Sequence, residues 1–177
     1  LGPPRNESRR PAMILGMSVS AFTSLHVILS LMGIAAGLVV VVALFSSKMP
    51  TGWTALFLVT TVLTSVTGFF FPRDHVLPSH IVGALSLAVL AVAILAYYGY
   101  RLEGAWRWIY VVTALLALYL NVFVLVVQAF QKVSFLSKLA PTQGDPPFIV
   151  AQIAVLVVFI AIGVATLKSF HPGARAA

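Results

Sequence analysis

The residues best equipped for chemistry in this chain are His26 and His80, with the amides Gln128 and Gln152 at comparable depth. A neutral imidazole offers a lone pair to a metal and an N–H to an acceptor. On separate helices at one level, His26 and His80 could hold a haem iron from both axial sides or share a copper ion. They could equally hydrogen-bond a quinone carbonyl. Thr67 belongs to the same layer, and His75 to the adjoining loop. Neither histidine belongs to a ligand-spacing motif such as HxxxH, and His80 follows Pro78-Ser79, a setting typical of an interfacial imidazole. The expectation is therefore no cofactor, with haem b or a quinone on His26 and His80 as the alternative.

Other chemistry lacks its parts. The acidic residues are Glu7, Asp74, Glu103 and Asp145, all outside the long apolar runs, so no carboxylate pair serves as acid and base within them. There is no cysteine, which removes thiol exchange, iron–sulfur clusters and thiolate metal sites. Ser79 and His80 are adjacent, and neighbours on a helix point apart. No Asp, Glu or Lys is buried as a proton-coupled transporter would need, and no internal repeat is visible. The chain is not expected to be an enzyme.

Composition explains what must hold these groups in place. Of 177 residues, 60% are hydrophobic and 8% charged, with a mean hydropathy of +1.05. Soluble domains carry about 25% charged residues, so this is the composition of an integral membrane protein. The net charge of +7 is dispersed singly between apolar runs, which argues against nucleic acid.

Charges divide the chain into five runs, each longer than the ~20 residues a helix needs to cross a bilayer. The spans expected are 20–46, 52–71, 78–100, 106–130 and 147–168, an all-α bundle of five transmembrane helices. Residues 1–19 are expected to form an amino-terminal tail and interfacial segment, with residues 1–12 either native or foreign to the natural chain, and 169–177 a polar tail. Residues 12–19 are expected to tilt or to lie along the headgroups. Met49-Pro50-Thr51-Gly52, Pro72, Pro78, Pro141 and Pro146-Pro147 supply the breaks. Residues 132–147 read as the one longer loop. Trp53, Tyr97, Tyr98, Tyr100, Trp106, Trp108 and Tyr110 fall near one membrane surface, as an aromatic belt would.

Side A denotes the surface that carries the amino terminus, residues 73–75 and 132–147; side B carries Lys48, residues 101–107 and the carboxyl end. Without residues 1–12, Lys and Arg number three on side A and five on side B, which puts side B and the carboxyl terminus in the cytoplasm as the expectation; with Arg5, Arg9 and Arg10 the count is six against five and that lean is lost.

Within the spans, small and polar residues recur at helical spacing. His26, Ser30, Gly33 and Gly37 share a face of the first helix, and Gly33-x-x-x-Gly37 invites the close approach of another helix. Thr60, Thr64 and Thr67 line the second, Ala114, Ala117, Asn121 and Gln128 the fourth, and Gln152, Phe159 and Gly163 the fifth. These faces are expected to meet at the bundle core, with Gly33, Gly37 and Asn121 as packing residues.

The stretches Thr60-Thr61-Val62-Leu63-Thr64-Ser65-Val66-Thr67-Gly68-Phe69, Trp106-Arg107-Trp108-Ile109-Tyr110 with Leu120-Asn121-Val122-Phe123, and Ala140-Pro141-Thr142-Gln143 resemble a group of small multi-pass proteins of bacterial membranes. The resemblance implies a bacterial inner membrane and brings neither an activity nor functional residues. The function expected from the residues is a non-catalytic membrane subunit or binding module, whose partners are the lipid bilayer and other membrane subunits or a second copy. A haem- or quinone-binding electron carrier using His26 and His80 is the alternative, and a small transporter or channel the third.

Overall fold

The computed structural model describes residues 13–71 and 78–170. A hairpin of β1 (Met13–Ile14) and β2 (Met17–Ser18) precedes α1 (Val19–Phe45), α2 (Thr51–Gly68), α3 (Pro78–Ile94), a π-helical segment (Leu95–Gly99), α4 (Trp106–Lys132), α5 (Ser134–Leu139) and α6 (Pro146–Ser169). Five helices are long and apolar enough to cross a membrane, the third being α3 with its π-helical extension. This is an all-α bundle. In hydrocarbon every backbone polar group must be satisfied internally, which leaves the helix as the form open to these segments.

Local chemistry sets the ends. The hairpin turns at Leu15 and Gly16, both with positive φ (50° and 79°), as a two-residue turn between antiparallel strands demands. Ser18 caps α1 by accepting the Ala21 N–H at 3.2 Å. Pro146 and Pro147 occupy the first turn of α6, where a missing N–H costs nothing. The Asp145 carboxylate turns back to accept the Thr142 N–H at 2.7 Å, which ties the loop before α6. On side B, Arg101, Leu102 and Gly104 all adopt positive φ, making a tight reversal between the π segment and α4.

The first four spans form a ring in which α1 packs on α2, α2 on α3, α3 on α4 and α4 on α1. Thus α1 and α3 are diagonal, as are α2 and α4. Helix α6 lies outside this ring, against α4 and the edge of α1. The apolar core runs through Ile34, Val40 and Leu44 of α1, Phe57 and Leu58 of α2, Leu90 and Ala93 of α3, and Val111, Leu115 and Leu118 of α4.

The sequence expectations need correction at several points. Within the interfacial segment expected at 12–19, residues 13–18 form a hairpin, an element the sequence reading did not foresee. The expected loop 132–147 contains α5, six residues whose Phe135 and Leu139 are exposed. Two residues of the expected aromatic belt face inward: Tyr110 has no exposed surface and Tyr97 packs against the core. His75 lies outside the described residues.

Candidate functional site

Three polar layers are stacked along the bundle, and they differ in how their polar atoms are satisfied. The middle layer is the tightest. Asn121 Nδ2 of α4 donates to Thr61 Oγ1 of α2 at 3.4 Å, across the diagonal of the ring. Gly33 of α1 makes room for that pair: a Cβ on it would lie 3.0 Å from Thr61 Oγ1, 3.1 Å from Thr60 Oγ1 and 3.5 Å from Asn121 Nδ2. One turn on, a Cβ at Gly37 would stand 2.7 Å from Leu118 Cδ1 and 3.0 Å from the Phe57 ring. Both glycines of the GxxxG pair therefore face α2 and α4 inside the molecule. Gly33, Gly37 and Asn121 converge here, and Gly163 also faces inward, its Cβ position 3.7 Å from Leu115. Beside this centre, Ser65 of α2 donates to Ser86 of α3 at 3.1 Å.

The side-A layer is looser. His26 Nδ1 lies 2.8 Å from Thr67 Oγ1, and the Thr67 hydroxyl also lies 2.7 Å from Leu63 O. A carbonyl only accepts, so the hydroxyl proton belongs to the Leu63 contact and His26 Nδ1 must carry the proton it donates to Thr67. Neutral His26 then holds its lone pair on Nε2. That atom suits a metal or a hydrogen-bond donor, and it cannot donate to a quinone carbonyl.

The candidate site residues do not gather around one centre. His26 meets Phe71 edge to face at 5.2 Å, and Phe71 packs on Phe22 of α1. His80 lies 5.7 Å from the ring of Phe69, which is wedged against Gly83 of α3. The two imidazoles thus sit on diagonal helices, each against its own phenylalanine, with the end of α2 between them. Gln152 turns toward α4 and donates to Phe123 O at 3.2 Å, leaving its Oε1 buried and unpartnered. Gln128 is half-buried in the last turns of α4 and joins neither histidine by a hydrogen bond. Among the described residues, no group of three or more His, Asp or Glu side chains is placed to hold a metal ion.

The side-B layer was not expected as a site. Thr54 of α2 and Tyr110 of α4 are fully buried, and Tyr97 of the π segment lies beside them, its ring 5.3 Å from that of Tyr110. The Thr54 hydroxyl is near enough to both phenols to interact with them. Yet neither Thr54 Oγ1 nor Tyr110 Oη has a partner at hydrogen-bonding distance and angle. Thr166 of α6, about one turn from the same surface, is also fully buried with an unpartnered hydroxyl. An unpaired buried hydroxyl costs about 1–3 kcal/mol. Elsewhere in the bundle Thr23, Thr60, Thr67 and Thr113 avoid that cost by donating to the carbonyl four residues back. Thr54 does not, and its hydroxyl is left facing the phenols.

A signal for this layer was present. Tyr110, Ala114, Ala117 and Asn121 recur at +4, +3 and +4, which places the phenol on the same inward face as Asn121. The π segment has no comparable residue signature, and it is what brings Tyr97 over Tyr110. One extra residue in the turn rotates the rest of the helix by about 100°.

Chemically, the middle layer is a packing contact, the side-A layer presents one acceptor nitrogen, and the side-B layer is a cluster of hydroxyls of which Thr54 and Tyr110 are buried without partners. No protein-family model matches the chain, and comparison with curated proteins and with solved structures yields no match.

Proposed function

We propose that the protein is a non-catalytic, membrane-embedded module that assembles with other membrane subunits or with itself through α6, in a bacterial inner membrane with side B in the cytoplasm. The observation that carries this reading is the face of α6. It is the most apolar span, with a hydropathy of 2.9, and only 11% of its most apolar window is buried. Ile153, Val157, Ile160 and Val164 point away from the molecule, while the GxxxG groove of α1 is filled internally and is not free for a partner. Catalysis has no support in the layers, since their polar groups are hydroxyls, amides and separated imidazoles.

Extraction of the membrane with an amphipathic polymer, which keeps native lipid around the protein, tests the assembly. The particle should hold more than one polypeptide. Val157→Trp should release the chain as a folded monomer, because a bulky ring blocks a helix contact and is indifferent to fluid lipid. A wild-type particle with a single chain and lipid alone would sink the reading. Single cysteines at Lys48 and Gln143, on opposite sides of the bundle, test the orientation: an impermeant maleimide added to intact cells should label the second and spare the first.

A further inference from the structure

The connection between α4 and α6 places an amphipathic element where the bilayer begins. Helix α4 has 27 residues, a length of about 40 Å that exceeds the ~30 Å hydrocarbon core and brings Lys132 to headgroup level. Val133 is extended (φ −86°, ψ 115°), so α5 leaves the axis of α4 instead of prolonging it. The Ser137 N–H donates to Val133 O and the Ala140 N–H to Leu136 O, both at 2.9 Å, which holds the turn. The Ser137 hydroxyl is spent on Ser134 O at 3.2 Å. Within α5, Phe135, Lys138 and Leu139 fall at i, i+3 and i+4 and so share a face. Phe135 is 72% exposed and Leu139 50%, and Lys132 and Lys138 are exposed beside them. Leu136 and Ser137 are half-buried where the helix packs on α4.

The make-up of this face selects its occupant. Two apolar side chains alone would suit lipid or protein equally well. Lysine does not, because protein interfaces are depleted in it. At a membrane surface its stem lies along apolar material while its ammonium reaches the phosphates. Among the described residues the carboxylate on this side is Asp145, which accepts the Thr142 N–H within its own loop. Position agrees with charge: α5 lies between the ends of two spans, so its exposed face borders the lipid that surrounds them. We propose that the elbow formed by Lys132 and α5 is a binding site for anionic phospholipid. Phe135 and Leu139 sit among the upper acyl chains, and Lys132 and Lys138 hold the headgroup phosphate. The site belongs to a single chain and does not depend on assembly through α6.

The chain has no cysteine, so one reporter can be placed cleanly: bimane on Ser134→Cys, in phosphatidylcholine nanodiscs that contain a minor fraction of acyl-brominated lipid. Brominated phosphatidylglycerol should quench the reporter more than brominated phosphatidylcholine at the same fraction, with a preference of roughly fivefold for each lysine. Lys132→Ala combined with Lys138→Ala should bring the two lipids level, and Lys132→Arg with Lys138→Arg should keep the preference. High salt should weaken it, because exposed charges are screened. Equal quenching by the two lipids in the parent protein would overturn the proposal, since the contact would then be apolar alone. Quenching by aqueous acrylamide and by neither lipid would overturn it by placing α5 in water. Protection from acrylamide and both lipids would overturn it in favour of a protein cover. If the double alanine variant does not fold, the lipid preference of the parent and its salt dependence decide.

Discussion

Helices α2 and α4 face each other across the bundle at two depths, and the contacts there differ in kind. In the middle, Thr61 and Asn121 bond to each other, with Gly33 removing the bulk that would separate them. Near side B, the Thr54 and Tyr110 hydroxyls are both buried, and neither has a partner at hydrogen-bonding distance and angle. Both pairs lie on the same two helices and both are buried. The difference is the third element: α1 contributes a glycine in the middle, which draws the helices together. At side B the third element is a π segment bearing Tyr97, whose ring packs on that of Tyr110. Beside a small residue the polar contact closes, and beside a second phenol ring packing stands in its place.

The largest test of this contrast removes volume from the closed layer. Phe57→Ala deletes a ring that is 1% exposed and packed against Gly37. It should cost about 3–5 kcal/mol, read as loss of the folded protein in thermal unfolding in mild detergent. Next, Gly37→Ile should cost about 1–3 kcal/mol, because its side chain meets Leu118 and Phe57 inside the molecule. The loss should appear in the isolated chain as lowered stability. A variant that unfolds normally but no longer assembles would place the groove at an interface and contradict the internal packing.

The two hydroxyl pairs can then be compared directly. Asn121→Leu breaks the closed contact and should cost about 1 kcal/mol. Tyr110→Phe keeps the ring and removes only the hydroxyl, so its sign is diagnostic. If the hydroxyl is paired with that of Thr54 the variant loses about 1 kcal/mol, and with a bare hydroxyl it gains stability, because an unsatisfied group has been removed. Because the hydroxyl has no partner at hydrogen-bonding distance and angle, the expected outcome is the gain.

The same contrast explains what the sequence made legible. Lys48, Arg73, Arg101, Arg107, Lys132 and Lys168, with Pro50, Pro78 and Pro146, mark the ends of spans within a few residues, because the bilayer excludes charge and proline breaks helices. The pairing of Gly33 with Asn121 was visible as small and amide residues at helical spacing. Tyr97 and Tyr110 were misread, because a tyrosine one turn from a membrane surface fits an aromatic belt and a buried layer equally well. Hydropathy gives depth, and only the neighbours give rotation about the helix axis. For that reason His26, His80, Gln128 and Gln152 could be assigned to spans from the sequence, while the partner each one takes could not be read. The hairpin at Leu15-Gly16 and the helix at 134–139 were missed because both are too short to carry a periodic signal.

The smallest effect concerns the side-A layer, and it bears on what His26 can bind. Thr67→Val removes the hydroxyl that accepts from His26 Nδ1. Its energetic cost should be about 0.6 kcal/mol, the average for a side-chain hydrogen bond between membrane helices, because the pair is only partly buried and one bond is lost. The informative readout is the proton. Nitrogen resonances of the His26 ring should show Nδ1 protonated in the wild-type protein, since the Thr67 hydroxyl spends its own proton on Leu63 O. In Thr67→Val nothing fixes that choice, and the Nε2-protonated form should rise. Only the wild-type tautomer keeps a lone pair on the ring nitrogen that does not face Thr67. A wild-type ring already protonated at Nε2 would reverse the roles of the two atoms. His26 would then be a donor toward its surroundings, and a quinone carbonyl would become a fitting neighbour in place of a metal.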